Sequence, residues 1–179
     1  MLMSYRECLR EYGNQYQINK KIASGKLFKL DTGVYSDKIV PELAVISYKY
    51  PKAVFTMESA FYYHALTDVI PEKYNLATSK DAHKIVNNKV KQFFHRDEKL
   101  VIGITTLEYQ NVEIRIFDKE RMLIELIRNK NSLPFDYYKE IIENYRKIAH
   151  ELDIEKLQQY LTQFPKQPYI SEAIQLEVF

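Results

Sequence analysis

The sequence predicts an α+β fold: a small helix-and-hairpin unit at the N-terminus, then a mixed α/β domain with a small sheet and a helical C-terminal half. Three observations carry this. Residues 13–35, GNQYQINKKIASGKLFKLDTGVY, read as a helix followed by a tight hairpin. The middle of the chain holds several short β-type runs. From Asp118 onward the apolar residues recur with the period of a helix.

Taken in order, Ser4 stands as an N-cap and Glu7 completes a capping box, which predicts a helix to about Tyr12. Tyr5, Cys8, Leu9 and Tyr12 fall at i, i+3, i+4 and i+7 and form its inner stripe. Gly13 and Asn14 turn the chain into a second helix that ends at Ser24-Gly25. At about 100° per residue, Ile18 and Ile22 face inward while Tyr16, Gln17, Lys20 and Ser24 point the other way. Leu27, Phe28 and Leu30 then extend, Asp31-Thr32-Gly33 turns, and Val34-Tyr35 returns. A basic helix beside a basic hairpin is what a winged helix-turn-helix presents to DNA. The expected domains are therefore a winged helix-turn-helix over 1–38 and a mixed α/β domain over 39–179. With so few residues before the wing, the first unit is expected to need the helix that follows it.

Charge points the same way. The net charge of +2 is uninformative as a whole. Residues 1–36 carry six Lys/Arg against three acids, and the remainder twenty against twenty-one. The positive surplus thus lies at the N-terminus, where phosphate neutralisation would use it. Asn14, Tyr16 and Gln17 are the expected base-edge contacts, because amide side chains pair with adenine. Lys20, Lys21, Lys26 and Lys29 are the expected phosphate contacts. The expected partner is double-stranded DNA.

Beyond residue 38, IVPELAVISYKY (39–50) predicts a helix entered at Pro41, and Ala53–Thr56 a short apolar run. Glu58–Leu66 reads as a helix with an aromatic buried face, and Tyr74–Thr78 as a strand. Residues 79–90 carry no clear pattern. Strands are expected over Lys91–His95, Leu100–Thr106 and Val112–Phe117, with Asn111 in a hairpin turn. Asp118 caps a helix with Met122, Leu123, Leu126 and Ile127 on one face, which leaves Glu120 and Glu125 outside. Helices over Phe135–His150, Asp153–Phe164 and Ser171–Val178 complete the chain.

Several chemistries lack their residues. There is no phosphate-cradling glycine loop, no GxSxG elbow and no HExxH. His64, His83, His95 and His150 lack metal-ligand spacing, and Cys8 is the only cysteine. No apolar run approaches the roughly 18 residues of a membrane span, and no secretory pattern opens the chain. A cytoplasmic protein without catalytic, cofactor or metal residues is expected. One rival is a Mg²⁺-dependent nuclease using Glu108 and Glu113. Its expected lysine is Arg115, a poor proton acceptor. Of the fifteen tyrosines, most are expected in core and rim.

Three ordered segments carry a family resemblance. They are Ser24-Gly25-Lys26-Leu27 with Thr32-Gly33-Val34-Tyr35, then Tyr50-Pro51-Lys52-Ala53-Val54-Phe55-Thr56-Met57-Glu58-Ser59-Ala60 running through Tyr63-His64-Ala65-Leu66, then Asp118–Leu126. This order resembles the AbiEi-type antitoxins of type IV toxin–antitoxin (abortive infection) systems, over nearly the whole chain. Met122 and Glu125 depart from the Thr and Asp that relatives often carry. The resemblance implies a phage-defence antitoxin whose winged helix represses its own operon at inverted repeats. It also implies a nucleotidyltransferase-like toxin, counteracted without a stable complex. The competing readings are a plain winged-helix regulator with a C-terminal sensing or dimerisation domain, and an interaction module whose positive wing meets an acidic protein.

Overall fold

The computed structural model describes residues 1–179 and has nine α-helices and two β-sheets, a mixed α+β protein. The chain divides into two compact units: residues 1–51 with 110–114, and residues 52–109 with 115–179. The division after Pro51, rather than after residue 38, has a local cause. Helix α3 (Glu42–Lys49) bonds back to the N-terminal elements. The Tyr48 hydroxyl donates to Glu7 at 2.7 Å, and the Lys49 ammonium lies 2.7 Å from Asp31.

The first unit runs β1 (Leu2–Ser4), α1 (Tyr5–Tyr12), α2 (Gln15–Ala23), β2 (Phe28–Asp31), β3 (Val34–Ser36) and α3. The capping box forms as expected: Ser4 Oγ accepts from the Glu7 N–H, and the Glu7 carboxylate accepts from the Ser4 N–H at 2.6 Å. Together with the Tyr48 hydroxyl, these bonds hold the Glu7 carboxyl down at about 2. Strand β1 was not expected from its three residues. It pairs antiparallel with β3 (Leu2↔Ser36, Met3↔Tyr35), which gives a sheet in the order β1-β3-β2. Cys8, Ile18, Leu27 and Tyr35 form the core, with Met3, Leu9, Tyr12 and Ile22 packed around it. Tyr5, placed in the inner stripe by periodicity, sits at the rim with its ring 6.4 Å from that of Tyr35.

The second unit contains β4 (Val54–Phe55), α4 (Met57–Tyr63), β5 (Tyr74–Ser79), β6 (Val90–His95), α5 (Asp97–Leu100), β7 (Ile104–Tyr109) and the second half of β8 (Val112–Phe117). Helices α6 (Lys119–Arg128), α7 (Phe135–Lys147), α8 (Ile154–Leu161) and α9 (Gln167–Glu177) follow. The sheet order is β6-β5-β4-β8-β7. Strand β4 is antiparallel to β5 and parallel to β8, and β5 is parallel to β6. Segment 80–89, which periodicity left unassigned, is the crossover between β5 and β6. It contains no helix. The Gln92 side chain accepts from the Ile85 N–H (2.8 Å) and donates to Thr78 (2.8 Å) and the His83 carbonyl (3.2 Å), which ties the loop to the sheet.

Two expectations about this unit are corrected. The strand expected from Leu100 begins at Ile104, because α5 occupies 97–100 and Gly103 turns the chain at φ +76°. Glu120 and Glu125, expected outside, are buried at 7% and 3% exposure. Helix α6 is covered from several sides by α4, α8 and α9, so its polar face is interior as well. Elsewhere the turns follow their residues. Gln110 and Asn111 both have positive φ, as a two-residue I′ hairpin requires. Helix α9 starts at Gln167, four residues before the expected Ser171, because Pro168 suits a first helical turn.

Gly103 has a second constraint beside its φ. A Cβ there would lie 2.5 Å from Arg121 Cβ and 3.0 Å from Asp118 Oδ1. Gly103→Ala is expected to lower stability by about 2–4 kcal/mol, from left-handed strain together with overpacking. A urea titration checks this; a loss under about 0.5 kcal/mol would mean that the backbone here relaxes freely.

Candidate functional site

The exposed face of α2 and the β2–β3 hairpin form the first candidate site. Gly13, at φ +84°, lets α1 end and α2 begin within two residues. Asn14 then caps α2, its side-chain oxygen accepting from the Gln17 N–H at 3.0 Å. That leaves the Asn14 amide NH₂ as the group able to meet a base edge. Helix α2 has no acid in its first turn, so its positive dipole end is uncompensated. Ser24 closes the helix, its hydroxyl donating to the Lys21 carbonyl at 3.1 Å.

Ile18 is fully buried and Ile22 packs on the same core, which fixes the rotation of α2. Tyr16 (71% exposed), Gln17, Lys20 and Ser24 consequently lie in solvent on the opposite face. Lys26 follows the helix exit and Lys29 lies on β2; both are exposed. Asp31 is the sole acid between residues 13 and 35. Lys49 pairs with it at 2.7 Å, so the hairpin meets solvent without an open negative charge. Lys49 was not among the expected site residues. Its role depends on a contact eighteen positions away in sequence, which no local pattern announces. Lys21 differs from the other lysines. It is half-buried, with its ammonium 5.6 Å from the centre of the Tyr12 ring. It therefore braces α2 on α1.

The second unit concentrates its polar groups around Arg121, which is 0% exposed. The guanidinium donates to Glu125 Oε1 from Nε (3.1 Å) and Nη2 (2.9 Å), and to the carbonyls of Lys99 (2.6 Å) and Ile102 (2.8 Å) from Nη1. It lies between two rings, 4.3 Å from Phe117 and 4.6 Å from Phe164. Glu125 also accepts from Arg128 at 2.9 Å. Asp118 caps α6 through the Arg121 N–H (2.8 Å) and accepts from the Tyr160 hydroxyl (2.9 Å), with Lys156 at 3.1 Å. Glu120 accepts from the Asp153 N–H at 2.9 Å. Each of the three carboxylates is engaged inside the protein, and the network joins α6 to α5 and α8.

Glu108, Glu113 and Arg115 are exposed on β7 and β8. No three His, Cys, Asp or Glu side chains converge anywhere in the chain. No helix is long and apolar enough to cross a membrane. The tyrosines Tyr62, Tyr63 and Tyr109 pack against one another, with Phe55 and Tyr74 beside Tyr63 or one another, as rim-and-core residues do. The chain matches no protein-family model and no curated protein sequence.

Two histidines make stability depend on pH. His64 Nε2 donates to the Phe117 carbonyl at 2.7 Å, and burial holds its ring below the ordinary histidine value. Burial does the same to His95. The unfolded chain takes up these protons first, near pH 6.5. Their contribution is therefore fully present above about pH 6.5 and is lost as pH falls through the lower folded values. Urea midpoints are expected to be flat from about pH 8 to 7 and to drop between about 6.5 and 5. His64→Gln should shrink that drop. A midpoint that rises on acidification would show that these rings are not held neutral.

Proposed function

We propose that this protein is a DNA-binding antitoxin: it represses its own operon and counteracts a nucleotidyltransferase-like toxin without forming a stable complex with it. The DNA-binding part rests on one observation, the wiring of the first unit. A strand, two helices and a hairpin follow in order, and the first strand pairs with the last to give β1-β3-β2. That wiring supports a winged-helix reading, with α2 as the reading helix and β2–β3 as the wing. An α-helix about 10–12 Å across with its side chains fits a major groove about 12 Å wide. Tyr16, Gln17 and the Asn14 amide then face the bases, and Lys20, Lys26 and Lys29 the phosphates. Helix α3, docked through Tyr48 and Lys49, takes the supporting place that a longer N-terminal helix holds elsewhere.

The antitoxin part rests on the ordered resemblance of the three segments. Their local roles are compatible with it. The first forms the helix exit and wing return, the second forms β4 and α4, and the third is the capped helix α6 at the centre of the second unit.

Gel shifts with the protein's own upstream region test the DNA reading. Gln17→Ala is expected to keep most affinity but to bind a base-scrambled duplex nearly as well as the promoter, a loss of discrimination of about 1–3 kcal/mol. If the parent chain itself fails to distinguish the two duplexes, α2 does not read bases. Co-expression with the adjacent gene tests the rest. Relief of growth arrest without co-purification supports the antitoxin; a harmless neighbour removes it.

One observation favours a regulator that senses a ligand. The second unit holds a cavity of about 810 Å³ walled by Val69, Ile70, Pro71, Val90 and Tyr137, with Glu58 and Lys91 among its polar groups. A metabolite bound there that shifts promoter affinity would establish this second reading.

A further inference from the structure

A second cationic site lies in the second unit and shares no residue with the DNA-reading surface proposed above. Two cavities of about 700 and 450 Å³ share Arg128 and Pro165 in their walls. Five cationic side chains line the pair, against a single carboxylate, Glu98. Some of these cations are already committed. Lys99 donates to the Gln163 carbonyl, and Lys130 pairs with Glu177 at 2.7 Å. Arg128 spends only Nη1 on Glu125 and keeps its other N–H groups, stacked 4.9 Å from the centre of the Phe164 ring. Arg96 and Lys166 are exposed, with no ion pair. Lys166 is also held at φ +60°, a left-handed conformation that a lysine rarely adopts.

Each cavity also displays one exposed aromatic ring. Phe94, on the edge strand β6, is 49% exposed in the larger; Tyr169, on α9, is 56% exposed in the smaller. An exposed phenylalanine on a sheet edge is a liability unless something flat covers it. The two adjoining cavities thus offer both rings that can stack on bases and cations that can hold phosphates. A duplex hides its base faces, so it satisfies the cations but leaves both rings uncovered.

We propose that this groove binds single-stranded nucleic acid, two consecutive bases stacking on Phe94 and Tyr169 and their phosphates held by Arg96, Arg128 and Lys166. The inference is independent of the promoter reading, since no residue is shared.

The test uses the full chain carrying Lys20→Ala, Lys26→Ala and Lys29→Ala, so that the N-terminal surface does not mask the groove. The probe is a fluorescein-labelled oligothymidylate of about 12 nucleotides, within the range of known single-strand sites, read by anisotropy. Arg96→Ala with Lys166→Ala is expected to raise Kd at least ~10-fold and to lower the salt slope by about 1.4, the value for two phosphates on a single strand. Phe94→Ala with Tyr169→Ala should also weaken binding by ~10-fold or more with the slope unchanged. All four positions are exposed, so thermal melts should stay near the parent's. Promoter-duplex affinity of the chain with its native lysines should not move with either pair. Unchanged Kd in both double variants, or no binding of the probe, overturns the proposal. Displacement by a mononucleotide as strongly as by the dinucleotide pTpT overturns it too, because a single-base pocket would then explain the groove.

Discussion

Replacing Arg121 with alanine is expected to remove about 3–5 kcal/mol of stability, the size seen when one partner of a buried ion pair is deleted. For a chain of this length that corresponds to a fall of roughly 10 °C in Tm. The loss has three parts. Glu125 stays buried at 3% exposure with its main partner gone. The carbonyls of Lys99 and Ile102 lose the donor that reaches them at 2.6 and 2.8 Å. The Phe117 and Phe164 rings lose the plane between them. The asymmetry of buried pairs supplies a control. Arg121→Met with Glu125→Leu removes both charges together, and should recover much of what Arg121→Ala loses. Denaturant titrations of the parent, both single variants and the double close the cycle. A cost for Arg121→Ala under about 1 kcal/mol would mean that the guanidinium is not the tie between α6 and α5.

The triple substitution Lys20→Ala, Lys26→Ala and Lys29→Ala is expected to weaken promoter binding by on the order of a hundredfold near 0.1 M salt, with the salt slope smaller by about 2.7. Each lysine stands for one phosphate, and all three are exposed, so the fold should be unaffected. Lys21→Ala is the internal comparison. Its ammonium lies over Tyr12, so it should change the slope little and stability slightly. Lys49→Ala goes further. It uncovers the Asp31 carboxylate on the hairpin and should weaken binding although Lys49 itself touches no phosphate in this scheme. Triple-variant binding equal to the parent's across several salt concentrations removes the α2–wing surface as the DNA site.

The candidate site was largely legible in the sequence because it is built from short-range rules. Gly13-Asn14 as the turn into the helix, Ile18 and Ile22 as the inward pair, and Asp31-Thr32-Gly33 as the hairpin turn depend on neighbours within a few positions. All three stand in the structure. Lys21 stands apart from the other lysines for a simple geometric reason. It lies only roughly 60° around the helix from Ile18, at the border of the inner face, where a long side chain can reach back to α1. Lys49 and the groove around Arg128 were not legible, since each joins segments far apart in the chain.

What the sequence determined by itself is local: the capping box at Ser4 and Glu7, the helix and strand periods, the hairpin turn at Asn111 and the one-sided charge of the first 36 residues. Each is a matter of backbone dihedrals and side-chain contacts within one turn or one hairpin. The tertiary structure alone decided which faces are covered. Leu2–Ser4 becomes a strand only because β3 returns beside it more than thirty residues later. Glu120 and Glu125 are interior only because α8 and α9 fold back over α6 and bring Lys156, the Asp153 N–H and Phe164 with them. A helical period states which residues share a face. It does not state what will lie against that face, because the partner is chosen by the packing of the whole unit.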